Sequence, residues 1–191
     1  FINVIERKPD DKNLSFGSSW LHQDTSYLAD DRPRYTMLMG IEIPDGQGNT
    51  IFSSGFNAYE KLPNEIKDKI KDATGIFSSA GPISVTRLER EKEMGIKSSE
   101  SMEAEHPIVK TVSGKKTLYV SPGHLMKIKN VKEEDANYLK NYLIEHVNKE
   151  EFIFSYEWSK GDICLWDNLS ILHMASEIKN CKRIMHRITI K

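Results

Sequence analysis

The 191-residue sequence is poor in cysteine, with only Cys164 and Cys181. Both lie in apolar or mixed segments without the close spacing of a thiolate metal site, and a reducing compartment leaves them as thiols. Long apolar runs are missing: none approaches the roughly 20 residues of a membrane-spanning helix. No basic segment followed by an apolar stretch opens the chain. A surplus of one charge is missing too, since 27 Lys and Arg stand against 28 Asp and Glu, a formal net charge of −1. The two signs are interspersed, so no basic stripe faces a phosphate backbone, and neither nucleic acid nor a membrane is an expected partner. Nothing in the composition marks a second domain. A chain of this length buries one core, so a single domain over 1–191 is expected, in the cytoplasm, with homo-oligomer formation left open.

What is present is a series of short β-branched and aromatic runs between turn signals: 21–27, 35–43, 50–53, 108–112, 117–120, 152–158, 162–166, 170–175 and 183–190. Ser113-Gly114 reads as a hairpin turn, and the loop Asp45-Gly46-Gln47-Gly48 delivers Thr50. Two stretches read as helices. One starts near Pro63, and the other spans about 131–148 with Asn130 and Glu133 spaced as a capping box and an apolar stripe of Ala136, Leu139, Leu143 and Val147. These features predict a mainly β fold with flanking helices.

Chemistry concentrates in His22-Gln23-Asp24. On a strand, two side chains separated by one residue share a face, so His22 and Asp24 can hold one ion from one side. His173, in a later strand, is the candidate third ligand. Two histidines and one carboxylate leave three adjacent positions of an octahedral ion open, the arrangement of non-haem Fe(II) oxygenases. After His173, the run RIMHRITI alternates so that Arg183, Met185, Arg187 and Thr189 share one side. Two arginines on one buried face need anionic company, which a dicarboxylate cosubstrate or acidic side chains on a neighbouring strand would supply. Short strands around a buried metal point to a double-stranded β-helix, a cupin-like jelly roll.

Several blocks together resemble the taurine dioxygenase family of Fe(II)- and 2-oxoglutarate-dependent oxygenases, from about His22 to the last residue. They are Trp20 through Tyr27, Gly48-Asn49-Thr50-Ile51-Phe52 with Ala58-Tyr59-Glu60-Lys61-Leu62, His106-Pro107-Ile108-Val109, Gly114 to Val120, Trp166-Asp167-Asn168 before His173, and Arg183 to Arg187. The resemblance implies that His22, Asp24 and His173 bind Fe(II). It implies that Thr50 and Arg183 hold the distal carboxylate of 2-oxoglutarate, and that Arg187 reaches the substrate's anionic end and the keto-acid side of the cosubstrate. The implied reaction consumes dioxygen, converts 2-oxoglutarate to succinate and carbon dioxide, and hydroxylates a small anionic organic substrate. Taurine or another sulfonate leads, with a sulfate ester, phosphonate or carboxylate as alternatives. Related halogenases replace the carboxylate ligand by a small residue; Asp24 is retained, which favours hydroxylation.

The chain departs from the family pattern in three places. Leu21 separates Trp20 from His22 where relatives place tryptophan directly before the histidine, so a bulged or shifted approach is expected. Relatives also carry a long N-terminal region with substrate-contacting residues, and the chain is expected to lack its counterpart. His124 stands where relatives often have an aromatic pocket residue, so it is read either as a substrate-binding donor or as an exposed loop residue. Residues 80–105 match an active-site lid in relatives, although the charge run Arg87 to Lys97 also reads as plain solvated surface; Gly95 within it is a hinge or a helix end. His146 is expected at the surface, His106 at the start of a strand, and His186 in packing or support of the arginines. Two other readings stand beside the oxygenase: a metal-binding jelly-roll sensor without turnover, and a zinc hydrolase with the same ligands.

Overall fold

Alternation of inward and outward side chains builds the central sheet. In β2 (Tyr35–Glu42), Thr36, Leu38 and Gly40 turn inward, and in β12 (Arg183–Ile190), Arg183 and Met185 do so. The computed structural model describes residues 1–11, 19–84 and 100–191, and in it β1 (Asn3–Arg7) and β10 (Ile163–Asp167) complete an antiparallel sheet of order β1-β12-β2-β10. A register shift between Ile184 and Met185 falls on the β2 side, where Ile41 is left over, so the alternation of β12 survives.

Opposite this sheet, β3 (Thr50–Ser54), β9 (Ile153–Tyr156) and β11 (Ile171–Ala175) pair in the order β11-β3-β9. Leu38, Phe52, Trp158, Trp166 and Met185 fill the space between the two sheets. This is the jelly-roll sandwich that the short strands predict.

A second core lies beside it. The strands β4 (Thr74–Ser78), β5 (Glu103–Pro107) and β8 (Leu125–Lys129) form a sheet of order β5-β4-β8. The hairpin of β6 (Val109–Val112) and β7 (Lys115–Leu118) turns at Ser113 and Gly114, whose φ values of 50° and 79° are those of the tight primed turn expected there. Among the described residues three helices flank these strands: α1 (Gly55–Glu60), α2 (Asn64–Ile70) and α3 (Glu133–Val147). Ala58, Ile66, Ile70, Leu139, Leu143 and Val147 pack with Phe77, Leu118, Leu125 and Ile128. Among the described residues no helix is long and apolar enough to cross a membrane.

Several expectations are corrected. Residues 21–27 do not form a strand; His22 makes one isolated bridge, and a turn follows at residues 24–27 with Thr25 at φ 46°. The capping box is absent, because Lys132 precedes α3 without a side-chain cap. Asn130 instead adopts φ 59° and donates from Nδ2 to Thr74 Oγ1 at 3.1 Å. The negative first turn of α3, Glu133-Glu134-Asp135, faces the positive end of the helix dipole instead. His146 is not at the surface: it is buried, and its Nε2–H donates to the Ala58 carbonyl at 2.8 Å. His106 lies near the end of β5 and is buried, with Nε2 at 2.9 Å from Ser26 O and 3.0 Å from Leu28 O. Of the 80–105 segment, a short turn at Pro82–Ser84 and β5 are seen, while Arg87 to Lys97 and Gly95 lie outside the described residues.

Gly55, at the start of α1, offers a test of how tightly the two cores are joined. A Cβ there would stand 2.5 Å from Thr117 Oγ1, 2.7 Å from Leu118 O and 2.9 Å from Ser170 O. Two of these atoms are backbone and cannot step aside. Gly55→Ala is expected to lower stability by about 1–3 kcal/mol, read as a reduced midpoint in urea; an unchanged midpoint would refute the tight join.

Candidate metal centre

The site begins with a backbone pair. His22 N–H donates to His173 O at 3.0 Å, and His173 N–H donates to His22 O at 2.9 Å. Residues paired this way across antiparallel strands project side chains to one side, and the two imidazole centroids stand 4.4 Å apart. Asp24 follows in the turn, and its Oδ1 lies 3.9 Å from His22 Nε2 and 3.7 Å from His173 Nε2. These separations are too long for hydrogen bonds and lie within the reach of two metal–ligand bonds of about 2.1 Å each. One donor atom from each residue can be chosen so that all lie within 4.8 Å of one another, and all three residues are buried.

Neighbouring groups orient these donors. His22 Nδ1–H donates to Trp20 O at 2.9 Å, which leaves the Nε2 lone pair for a ligand. Burial keeps the His22 imidazole below its ordinary pKa, and burial with the nearby His22 holds His173 down to about 3. For Asp24, burial pushes the carboxyl upward, but His173, Arg187, His22 and the Thr36 hydroxyl outweigh it and leave it below the ordinary range. Two neutral imidazoles and one carboxylate are the protonation states a divalent cation requires.

Two cavities meet at this cluster. The first is walled by His22, Thr50, Trp166, His173, Arg183 and Arg187. Arg183 is 6% exposed, and its Nε and Nη2 have no hydrogen-bond partner among the described residues. Unpaired guanidinium N–H groups at that depth are costly unless an anion meets them, which fits a dicarboxylate and speaks against pairing with acidic side chains. Thr50 Oγ1 accepts from Trp158 Nε1 at 3.0 Å, so its own proton is free for a carboxylate. The second cavity is walled by His22, Asp24, Tyr27, Ser79, His124 and Arg187. Arg187 thus belongs to both, with Nη1 3.4 Å from Asp24 Oδ1.

His124 is not an exposed loop residue. It is buried, its Nδ1 lies 2.9 Å from Ser26 Oγ and 3.2 Å from Ser121 Oγ, and its ring meets Tyr27 edge-on.

A model of the taurine catabolism dioxygenase TauD, TfdA family matches residues 2–189. The chain belongs to this family. An alkylsulfatase of Acinetobacter baylyi is 32% identical over 184 residues, which is 91% of this chain and 56% of that protein. An alpha-ketoglutarate-dependent sulfate ester dioxygenase of Pseudomonas putida is 28% identical, over 91% of this chain and 59% of its own length. The crystal structure of a taurine dioxygenase from Burkholderia xenovorans superposes with a TM-score of 0.74 at 25% identity, covering 98% of this chain and 63% of that one. The TauD-family chain therefore spans somewhat more than half the length of these relatives.

All seven site residues expected from the sequence, His22, Asp24, Thr50, His124, His173, Arg183 and Arg187, line one or both cavities. Sequence reasoning missed Thr36, Trp158 and Ser26, which hold Asp24, Thr50 and His124. Inward alternation in β2 was a usable signal for Thr36; nothing local marks the other two.

The buried imidazoles set an acid limit on the metal-free fold. His124 and His173 are held at about 3 and His106 at about 4, each mainly by burial. Unfolding releases them to an ordinary value of about 6.5, so the unfolded chain binds more protons at mildly acidic pH and stability falls with acidification. The thermal midpoint of the metal-free protein is expected to drop steadily from about pH 6.5 toward about pH 4. A flat profile would show that these rings protonate freely in the folded state.

Proposed function

We propose that this TauD-family chain carries the active site of an Fe(II)- and 2-oxoglutarate-dependent dioxygenase that hydroxylates a small anionic organic molecule. The observation that carries the reading is the buried His22, Asp24 and His173 cluster, whose two histidines share a cavity with Arg183, a buried cation whose Nε and Nη2 have no hydrogen-bond partner among the described residues. A sensor without turnover has no use for that second feature.

In this reading His22, Asp24 and His173 hold Fe(II). Arg183 and Thr50 grip the distal carboxylate of 2-oxoglutarate, the guanidinium as a permanent planar fork and the hydroxyl as a single donor held in place by Trp158. Fe(II) with 2-oxoglutarate, when bound, supplies the oxidising chemistry that consumes dioxygen and releases succinate and carbon dioxide. The protein orients the reactants and excludes bulk water. Arg187, in the walls of both cavities, draws the anionic end of the substrate toward the centre. His124, kept neutral by burial, offers a polar contact on the same side.

The substrate class follows from Arg187 and from what the relatives act on. A sulfonate or a sulfate ester suits it best, hydroxylated at the carbon beside the heteroatom so that the product splits. Taurine is the first sulfonate to test, with an alkyl sulfate beside it because an alkylsulfatase is among the relatives. A cytoplasmic location accords with the family.

Oxygen uptake and succinate release with Fe(II) and 2-oxoglutarate, measured across sulfonates, sulfate esters, phosphonates and carboxylates, test the proposal. Turnover is expected with at least one sulfur-containing acid, and no oxygen uptake with any compound would reject it. Asp24→Ala is expected to abolish turnover. Arg183→Ala is expected to raise the KM for 2-oxoglutarate at least ~10-fold, through loss of a charge-assisted contact, while changing the KM for the prime substrate far less. The opposite split would exchange the roles of the two arginines.

A further inference from the structure

Asp24 is held from behind by a chain of three side chains to which the proposed reaction assigns no role, although one of them, Trp166, also walls the first cavity. Thr36 Oγ1 donates to Asp24 Oδ2 at 2.6 Å, Asn168 Nδ2 donates to Thr36 Oγ1 at 2.8 Å, and Trp166 Nε1 donates to Asn168 Oδ1 at 3.1 Å. All four residues are buried. Two of them face each other across the sheet, because Trp166 in β10 pairs with Thr36 in β2.

The order of protons along this chain is forced. An indole N–H can only donate, so the amide oxygen of Asn168 must face Trp166 and its NH2 must face Thr36. With that lone pair of Thr36 taken by a donor, its single proton goes to the remaining acceptor, Asp24 Oδ2. The three hydrogen bonds therefore run in one direction and end on one particular carboxylate oxygen. The other oxygen, Oδ1, faces His22, His173 and Arg187.

We propose that Thr36, Asn168 and Trp166 are positioning residues that restrict Asp24 to a single ligating oxygen. The inference rests on the metal-centre reading above. A carboxylate can offer a metal one oxygen or two, and a second oxygen would occupy a position that the cosubstrate or dioxygen needs. A short bond from Thr36 competes directly with that second contact. The chain also reaches the third ligand, since the Trp166 ring lies 4.6 Å from the His173 ring. One network thus sets the rotation of Asp24 and supports the face of His173.

Anaerobic titration of the full chain with Co(II), followed by its visible absorption before and after addition of 2-oxoglutarate, tests this. Thr36→Val keeps the shape but removes the hydroxyl. It is expected to weaken Co(II) binding about 10–100-fold, the usual cost of losing a partner behind a metal ligand, and to alter the spectrum of the 2-oxoglutarate complex. Thr36→Ser restores the hydroxyl and is expected to recover both. Trp166→Phe frees the Asn168 amide to turn over; it is expected to give a smaller loss of affinity with the same spectral change, and it carries the test alone if Thr36→Val does not fold. Wild-type Co(II) binding with unaltered affinity and spectrum in the folded variants would overturn the positioning role. Absence of Co(II) binding by the wild type would instead overturn the metal-centre reading itself.

Discussion

The reciprocal backbone pair between His22 and His173 is the contact on which the rest depends. It is a single bridge and not a strand ladder, so its two hydrogen bonds contribute only about 1–3 kcal/mol net. Other anchors hold the incoming segment. Leu21 is buried and its carbonyl accepts from Gly123 N–H, while Gln23 N–H donates to Ser121 Oγ. With both neighbours fixed, the turn after the bridge has little freedom, and Asp24 arrives beside two imidazoles whose positions are already set.

Electrostatically the centre is built to be incomplete. Asp24 is charged and buried, with Arg187 on one oxygen and Thr36 on the other. Arg183 is charged and buried with two of its nitrogens unpartnered among the described residues. Folding alone leaves those desolvation costs standing, and ligand binding offsets them. A site of this type trades stability of the empty protein for affinity, as active sites commonly do.

Much of this was legible in the sequence, where side-chain alternation carried it. Arg183, Met185 and Arg187 occupy one face of β12 because period-two patterning survives the bulge on its partner strand. The Ser113-Gly114 turn was legible because few residue pairs adopt those backbone angles. Less visible were β1, β4 and β8, whose short mixed sequences pair only because neighbouring strands are already placed. The Leu21 to Tyr27 segment looked like a strand by composition, yet the turn begun at Asp24 and the positive φ of Thr25 are set by tertiary contacts. His146 was misread because a polar ring can be buried wherever a backbone carbonyl awaits it, and Ala58 supplies one from a distant position. Asn130 looked like a cap and is instead spent on a left-handed turn.

Arg187 stands in the walls of both cavities, and that shared wall has a thermodynamic consequence. An anion bound in either chamber would act on this same guanidinium, whose charge also reaches the neighbouring chamber. Linkage makes such an influence mutual: whatever one guest does to the affinity of the other is returned in equal measure. Two anions bound there together would share one cation, and the affinity of each would then depend on whether the other chamber is filled.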